Sequence, residues 1–528
     1  MMSIKKTGIL CFIFLAVFAG CRKNISPSWD VDMNLPLLKS TMTINKLIAD
    51  SLLQTNPDNS LTLVYRNSLY DFSADALIDM PDTISYNYLP SFPGAVIQPG
   101  QQILNVTEET KFKFNGAEIS IIKVRIGKLV VDFTNTLHEA IIVDYTITSA
   151  TKNGVPLHII ETVPGTVNGN SHVTKEYDIS GYSIDMSGQN HISANRITTI
   201  TDAMLDPAGS AVTLTAQDQF KFFFRFRDIS ADYVRGYFGN EQFVFGPEST
   251  DFNIFSKFTG GSLGLESVKL KLNVTNGFGI DSRVVFDEIK SVNTRTGISV
   301  SLNDPIVGAP LNIARAAETG NPVNPVIPSQ YSFNLDNSNI TDFIENLPDR
   351  IDYKISVDAN PLGNVSSGND FMYYGHYLDA FLDLEIPLSI IANNLTLTDT
   401  LAFNLGEESS PQRIKDGVLS LYADNGFPFS ADLYLYLLRD DGTTMDSLLF
   451  TNHIEAGVID GNNMVTESTR SVLLIPVSPS KIDELYATHR MLIVARFNTA
   501  GAGQYVKIYN NYKLDLKLTG RFTYLVTQ

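Results

Sequence analysis

Most of the chain beyond about residue 110 alternates between apolar and polar side chains. Two clear examples are 269–274, Lys-Leu-Lys-Leu-Asn-Val, and 514–518, Leu-Asp-Leu-Lys-Leu. Alternation with period two is typical of β-strands that bury one face. Long stretches with helical periodicity are absent, so the pattern predicts an all-β protein with a minor helical component.

One pattern of strands occurs three times. Each copy has a Phe-Asn pair, then an alternating strand that ends in asparagine, then a second strand that leads to a turn glycine. The pairs are Phe114-Asn115, Phe252-Asn253 and Phe403-Asn404; the asparagines are Asn135, Asn276 and Asn425; the glycines are Gly154, Gly297 and Gly442. The asparagines are 141 and 149 residues apart. Because this period has the size of a domain, it predicts tandem domains and not a solenoid.

The later parts of the second and third copies also match each other. Short helices are predicted at 339–346 and 480–487, where small polar residues precede a brief apolar periodicity. Each helix leads into a predicted strand, at 351–357 and 491–497, and then into a closing strand at 382–386 and 514–518. In the first copy, the apolar run 220–226 is the predicted strand, and we expect it to lie in the core.

The order of strand, asparagine, strand and glycine resembles the late-embryogenesis-abundant type-2 (water-stress) domain over about 30 residues per copy. That resemblance implies small antiparallel β-sandwiches, although the family has proline after the asparagine where Thr136, Gly277 and Gly426 stand here. An immunoglobulin-like sandwich would produce the same pattern of short strands and turns. Both alternatives predict tandem β-sandwich domains with short helices.

The sequence predicts five segments. They are a signal peptide at 1–20, an N-terminal tether with strand and helix at 21–100, and three sandwiches at 101–250, 251–390 and 391–528. A helix is expected at 43–52, and the Pro/Gly-rich stretch before Gly100 marks a boundary. The segment 33–37 echoes 384–388, so we expect it to be a strand that completes the first sandwich.

The N-terminus has the features of an exported lipoprotein. Lys5 and Lys6 precede an apolar stretch at 8–18, and Ala19-Gly20 precede Cys21. The segment 18–21 resembles the bacterial lipobox, with phenylalanine in place of the usual leucine. The resemblance implies cleavage before Cys21 and acylation of its thiol; an ordinary secretory signal is the alternative. The apolar stretch is too short for a permanent membrane span.

The negative net charge of the chain argues against one class of partner. The formal net charge is −18 and becomes −20 when Lys5 and Lys6 are removed with the signal. Nucleic acid is therefore not expected as a partner, because phosphate binding requires a basic surface. Cys11 would leave with the signal, so the mature chain would have one cysteine and no disulfide.

Motifs for catalysis and metal binding are weak. The segment 260–264 fits G-x-S-x-G, but a strand follows it where hydrolases have a helix, so a glycine-rich turn is expected. Asp30, Asp32 and Asn34 have the spacing of a calcium loop without its glycine, and a solvated loop is expected instead. The seven histidines lack the spacing of metal ligands. We therefore predict no enzyme activity, no cofactor and no metal site.

Tyrosines are the main candidates for a binding surface. Tyr373, Tyr374 and Tyr377 follow a loop at 363–370 that is expected to be flexible, and Tyr86 and Tyr88 lie near the first boundary. Exposed aromatic side chains stack on sugars or anchor protein partners, whereas buried ones only fill a core.

Two functional hypotheses follow. The first is a non-enzymatic scaffold at the cell outer membrane, held by its lipid and bound to another envelope protein. The second is a glycan-binding surface lipoprotein, similar to accessory lipoproteins of starch-utilisation systems. The basic residues after Cys21 favour the periplasmic face of that membrane over the cell surface. An esterase or glycosidase is a weaker third alternative.

Overall fold

The structure is a computed structural model that describes residues 28–44, 48, 50–73, 84–88, 93–167, 169–403, 405, 412–450, 452–501 and 503–527. Cys21 and the predicted signal peptide lie outside these residues. Among the described residues, no helix is long and apolar enough to cross a membrane.

Strands dominate the fold, as the alternation predicts. The first fifteen are β1 (Ser28–Thr43), β2 (Leu53–Thr55), β3 (Leu61–Ser73), β4 (Ile84–Tyr88), β5 (Val96–Ile97), β6 (Gln102–Lys111), β7 (Glu118–Asn135), β8 (Ile141–Lys152), β9 (Val155–Val163), β10 (Ser171–Asp178), β11 (Ser183–Asp185), β12 (Arg196–Leu205), β13 (Val212–Thr213), β14 (Phe220–Tyr237) and β15 (Glu241–Asp251). The next eleven are β16 (Phe258–Leu265), β17 (Lys269–Asn276), β18 (Ser282–Asn293), β19 (Ile298–Ser301), β20 (Pro310–Ile313), β21 (Ala317–Glu318), β22 (Val326–Ile327), β23 (Ser329–Asn334), β24 (Arg350–Ala359), β25 (Asp370–Tyr373) and β26 (Tyr377–Pro387). The last ten are β27 (Ser389–Ala402), β28 (Gln412–Asn425), β29 (Phe429–Leu438), β30 (Thr444–Leu449), β31 (Val458–Ile459), β32 (Val465–Glu467), β33 (Thr469–Val477), β34 (Arg490–Thr499), β35 (Val506–Lys507) and β36 (Lys513–Thr527).

Two short α-helices lie where the sequence predicts them. They are α1 (Ile340–Glu345) and α2 (Pro479–Tyr486), and each leads into the expected strand, β24 or β34. The helix predicted at 43–52 is wrong over its described part. Thr43 ends β1, and a short 3₁₀ turn occupies Asp50–Leu52.

The chain divides into two compact units, each made of discontinuous segments. Among the described residues, one unit contains those within 28–63, 254–266 and 387–527, and the other contains those within 64–253 and 267–386. The first sandwich and most of the second lie in the second unit, and the third sandwich lies in the first unit. The all-β fold with few short helices agrees with the sequence-based class.

In the first sandwich, strands bond in the order β25-β14-β7-β11-β8-β12-β6, with β4 on β14, β10 on β7 and β9 on β8. The short β11 pairs with both β7 and β8, and so connects the two layers. The run 220–226 is core, as predicted. Phe220, Phe222, Phe224 and Phe226 are buried, whereas Phe223 faces outward.

The second and third sandwiches each have two separate sheets. The second combines β15-β24-β18-β19 with β2-β3-β26-β17-β23. The third combines β1-β36-β28-β33 with β16-β27-β34-β29-β30. Short hairpin strands complete the connections.

The N-terminal strand has a different partner from the expected one. β1 pairs with β36 over nearly its whole length, from Ser28 opposite Thr527 to Thr43 opposite Lys513. The expectation that this segment completes the first sandwich is therefore wrong. Residues 33–37 and 384–388 do share alternating character, but alternation does not specify a partner strand.

The three repeat asparagines are buried and make the same contacts in each sandwich. The side-chain oxygen of each accepts a hydrogen bond from the backbone N–H two residues later, and the amide nitrogen donates to the carbonyl four residues later and to a more distant one. The N–H donors are Leu137, Phe278 and Phe427, each at 2.9 Å. The carbonyl acceptors are Glu139 and Pro164, Ile280 and Ala314, and Phe429 and Glu455.

Each asparagine thus joins the end of its strand to the following turn and to a third segment. Such a side chain satisfies backbone groups that would otherwise be buried without partners. We call this arrangement the asparagine latch. The turn glycines Gly154, Gly297 and Gly442 all have positive φ, at 79°, 73° and 84°, which explains why glycine recurs there.

Candidate interaction surface

The strand β25, which carries Tyr373, connects the first and second sandwiches within one compact unit. It follows the second sandwich's β24 in the chain, yet it pairs with β14 of the first sandwich, with Tyr233 opposite Tyr373. The exchange of a strand between neighbouring sandwiches makes their connection part of a sheet. The predicted tyrosine site therefore begins at a structural junction.

Asp370 holds the start of β25 in place. Its carboxylate is fully buried and accepts hydrogen bonds from Arg315 at 2.9 Å and from the Asn360 side chain at 2.8 Å. A buried carboxylate is stable only when it is paired in this way. The segment ending at Asp370 was expected to be a flexible loop, and for Asp370 itself that expectation is wrong.

The packing at this junction is tight. Gly279 lies so close to the Phe371 ring that a Cβ atom there would come within 2.2 Å of it. The Gly279 N–H also donates to the Phe371 carbonyl at 2.8 Å. Glycine is therefore required at this turn by close approach.

Glu318 contacts three polar side chains at the junction between the first and second sandwiches. Its carboxylate accepts hydrogen bonds from the hydroxyls of Tyr233 and Tyr373, each at 3.0 Å, and forms an ion pair with Arg235. Burial, together with the Glu318 hydrogen bond, raises the pKa of Tyr373 to about 12. Tyr373 is thus held as a protonated donor, and its hydroxyl is not free to bind a ligand.

Tyr374 and Tyr377 remain accessible. Their side chains are 47% and 41% exposed. The guanidinium of Arg125 lies 3.9 Å from the centre of the Tyr374 ring and donates to Ser230 at 3.0 Å. A cation over an aromatic face is an attractive contact that fixes both side chains. We call Arg125, Tyr374 and Tyr377 the exposed tyrosine patch.

Tyr86 and Tyr88 lie at a different place on the first sandwich. They belong to β4, which pairs with the Phe220 end of β14, whereas β25 pairs near Tyr233. Thirteen residues separate Phe220 from Tyr233, or about 40 Å at about 3.3 Å per residue. The five tyrosines therefore form two groups and not one surface.

Tyr86 and Tyr88 are half-buried and point across the sandwich. The Tyr88 hydroxyl donates to Glu108 at 2.6 Å, and the Tyr86 hydroxyl bonds to Thr110. Burial raises the pKa of both phenols. Their rings lie 6.2 Å apart with 21° between planes, but they also pack on the core rings of Phe224 and Phe222.

A polar group in the interior of the first sandwich was missed by sequence reasoning. Tyr145 is completely buried and stacks on Phe224 at 3.8 Å, and its hydroxyl makes only a weak contact with Thr199 and no hydrogen bond of ordinary length to a described residue. The buried hydroxyls of Thr199 and Thr201 lie near the phenols of Tyr86, Tyr88 and Tyr145, and neither makes a hydrogen bond of ordinary length to a described residue. In the sequence these residues occupy ordinary strand positions, so no local signal marks them.

The weaker motifs occupy structural positions. Ser262 of the G-x-S-x-G segment lies in β16 and pairs with Asn393 of β27, so a strand stands where we expected a turn. Asp30 and Asp32 lie in β1 and not in a loop, where they pair with Lys415 and Arg521. Over the part of the chain that the structure describes, no group of three or more His, Cys, Asp or Glu side chains could hold a metal ion.

Comparisons with known proteins add little. No family model matches the chain, and no curated protein matches it. Among solved structures, a "putative secreted protein" from Parabacteroides distasonis is 9% identical over 93% of this chain and 99% of that chain, with a TM-score of 0.25. A structure of infectious bursal disease virus, Gx strain, is 11% identical over 91% and 86% of the two chains, with a TM-score of 0.12. TM-scores this low support no conclusion about the fold or the function of this chain.

Proposed function

We propose that this protein is a non-enzymatic interaction module of the bacterial cell envelope, anchored to the outer membrane by acylated Cys21. In this proposal the sandwiches act as a scaffold, and the exposed tyrosine patch contacts another envelope protein. The lipobox-like segment before Cys21 supports the anchor, and the latched sandwiches support the scaffold.

The observation that carries the proposal is the contact between Arg125 and Tyr374. Tyrosine and arginine are enriched among the residues that contribute most to protein interfaces. Here the two side chains fix each other while about half of the tyrosine stays exposed. Side chains that are ordered before binding lose less entropy when a partner arrives.

The same contact limits glycan stacking at Tyr374. The guanidinium covers one face of the ring, so a sugar could stack only on the other face. Tyr377 is exposed and could also contact a sugar, so the glycan alternative needs its own test. If a neutral polysaccharide in a native gel retards the protein, and replacing Tyr374 and Tyr377 by alanine abolishes the retardation, the glycan function replaces the scaffold function.

The partner is tested by cross-linking and gentle detergent extraction from native membranes. We expect the wild-type protein to be recovered with a second envelope protein, and Tyr374→Ala to lose it. The matched control is Tyr422→Ala, because Tyr422 is 39% exposed on the third sandwich. Recovery of the wild-type protein alone as a monomer would count strongly against the scaffold.

The anchor is tested separately by fractionation. Replacing Cys21 by alanine removes the acylated thiol, so the variant should move from the membrane fraction to the soluble fraction. Unchanged membrane association would contradict lipid attachment at Cys21.

A further inference from the structure

The sheet β1-β36-β28 extends beyond the interior of the third sandwich. Leu514, Leu516 and Leu518 of β36 are buried on its inner face, and Phe522 continues that series. The next two residues on the same face, Tyr524 and Val526, are only half-buried. On β28, Ile414 lies opposite Tyr524 on the same face and is still buried, so the less covered part of this face is its edge along β36 and β1.

The start of β1, the edge strand of this sheet, adds three partly exposed apolar side chains to that edge. Trp29, Val31 and Met33 lie opposite Val526, Tyr524 and Phe522. They are 46%, 36% and 40% exposed. We call Trp29, Val31, Met33, Tyr524 and Val526 the Trp29 face.

The other side of the same strands is charged. Asp30 pairs with Lys415 at 2.6 Å, and Asp32 pairs with Arg521 at 3.2 Å. Because successive residues of a strand point to opposite faces, this part of the sheet has one apolar and one ionic side. An exposed row of apolar side chains along an edge strand promotes association unless something covers it.

The sequence before β1 indicates what covers it. Only six residues separate Cys21 from Ser28, and two of these are Arg22 and Lys23. Seven Cα steps span at most about 25 Å, so an acylated Cys21 keeps Ser28, the start of β1, within that distance of the membrane. Basic residues next to the anchor are attracted by anionic lipid headgroups.

We infer that the Trp29 face lies on the lipid bilayer at the level of the headgroups and forms a second membrane contact beside the lipid anchor. This inference rests on the proposed acylation of Cys21. Tryptophan and tyrosine are the side chains that favour this interface, because an apolar ring and a polar group fit its two environments. The ion pairs of Asp30 and Asp32 then face water.

The chain has a single tryptophan, so its fluorescence reports on this face without substitution. The acylated protein is purified from membranes and reconstituted in vesicles of phosphatidylcholine and phosphatidylglycerol, with or without phosphatidylcholine brominated near the headgroup. We expect emission to shift to shorter wavelength in vesicles and brominated lipid to reduce it about twofold, as for a ring at the interface.

The matched control moves the fluorophore within the same unit. In the variant with Trp29→Phe and Tyr422→Trp, the tryptophan lies on the outer face of β28, and its emission should not respond to brominated lipid. Equal and negligible quenching of Trp29 and of this control, with the protein still floating with the vesicles, would overturn the inference while leaving the anchor intact.

Two other outcomes would also overturn the inference, each for a different reason. Emission at short wavelength without quenching, together with a dimeric mass in detergent, would show that a second copy covers the face. Absence of acylation by mass spectrometry, with no flotation, would remove the anchor and with it this inference.

Discussion

The interiors of the first and third sandwiches differ although both contain the same asparagine latch. In the first, aromatic rings fill the space between the layers, with Tyr145 stacked on Phe224 at 3.8 Å. In the third, mainly aliphatic side chains leave a cavity of about 210 Å³, bounded by Leu433, Ile493 and Leu516 among others. The repeat thus preserves the hydrogen bonds at the strand ends and allows the packing between layers to vary.

The largest effect is expected from removing an aromatic ring of the first interior. Phe224→Ala should lower the free energy of unfolding of its unit by about 3–5 kcal/mol, because a fully buried ring is lost and the rigid neighbours cannot fill the space. Denaturant unfolding measures the loss. The control is Phe223→Ala, since Phe223 is 39% exposed on the same strand. Equal losses for both variants would contradict the aromatic packing.

Removing a latch asparagine should destabilise the protein nearly as much as removing the Phe224 ring. Asn425→Ala leaves one buried carbonyl, one partly buried carbonyl and one buried N–H without this partner, so we expect the third sandwich to lose about 2–4 kcal/mol. Asn135→Ala and Asn276→Ala should behave alike if the latches are equivalent. The exposed Asn105 provides the control, and a loss at Asn425 no larger than at Asn105 would show that the latch contributes nothing.

Replacing alanine by valine, which adds two carbon atoms, should change stability in opposite directions in the two interiors. Ala203 is buried in the first sandwich, and Ala431 borders the cavity of the third. Ala203→Val should destabilise by about 1–3 kcal/mol through overpacking. Ala431→Val should stabilise by about 0.5–1 kcal/mol through cavity filling. Thermal unfolding distinguishes the two, and the same sign for both would mean that the interiors do not differ.

The smallest effect concerns the buried phenol. Tyr145→Phe keeps the stacked ring and removes a hydroxyl that makes no hydrogen bond of ordinary length to a described residue. We expect stability to be unchanged or to rise by up to about 1 kcal/mol, since burying an unpaired hydroxyl is unfavourable. A loss above that size in chemical denaturation would show that the hydroxyl does have a partner in solution.

Local pattern predicted much of the fold. The alternation located the strands around Asn135, Asn276 and Asn425, and the asparagines themselves marked the turns because a buried amide is needed there to pair backbone groups. The two short helices were also predictable, since each combines polar residues at its start with a few apolar positions. These features depend on neighbours in the chain.

Long-range pairing was not predictable in the same way. β1 pairs with β36 across almost the whole sequence, and alternation is equally compatible with many partners. β25 joins the sheet of the preceding sandwich, which depends on the buried contacts of Asp370 with Arg315 and Asn360. In the sequence these three residues look like ordinary polar loop positions.

The exposure of the candidate tyrosines was predictable only in part. Tyr374 and Tyr377 are accessible, but Tyr373 donates to Glu318, and Tyr86 and Tyr88 point across the first sandwich. Sequence proximity could not separate these environments, because neighbouring residues of a strand face opposite sides. Arg125 was missed because its contact with Tyr374 spans about 250 residues of chain.

Site-specific photo-cross-linking at Tyr374 tests the proposed role most directly. A photoreactive phenylalanine analogue is placed at Tyr374, or at Tyr422 as the control, and activated in intact cells. The scaffold predicts a discrete cross-linked product that contains a second envelope protein, formed from Tyr374 and not from Tyr422. The same products from both positions, or none from Tyr374, would contradict it.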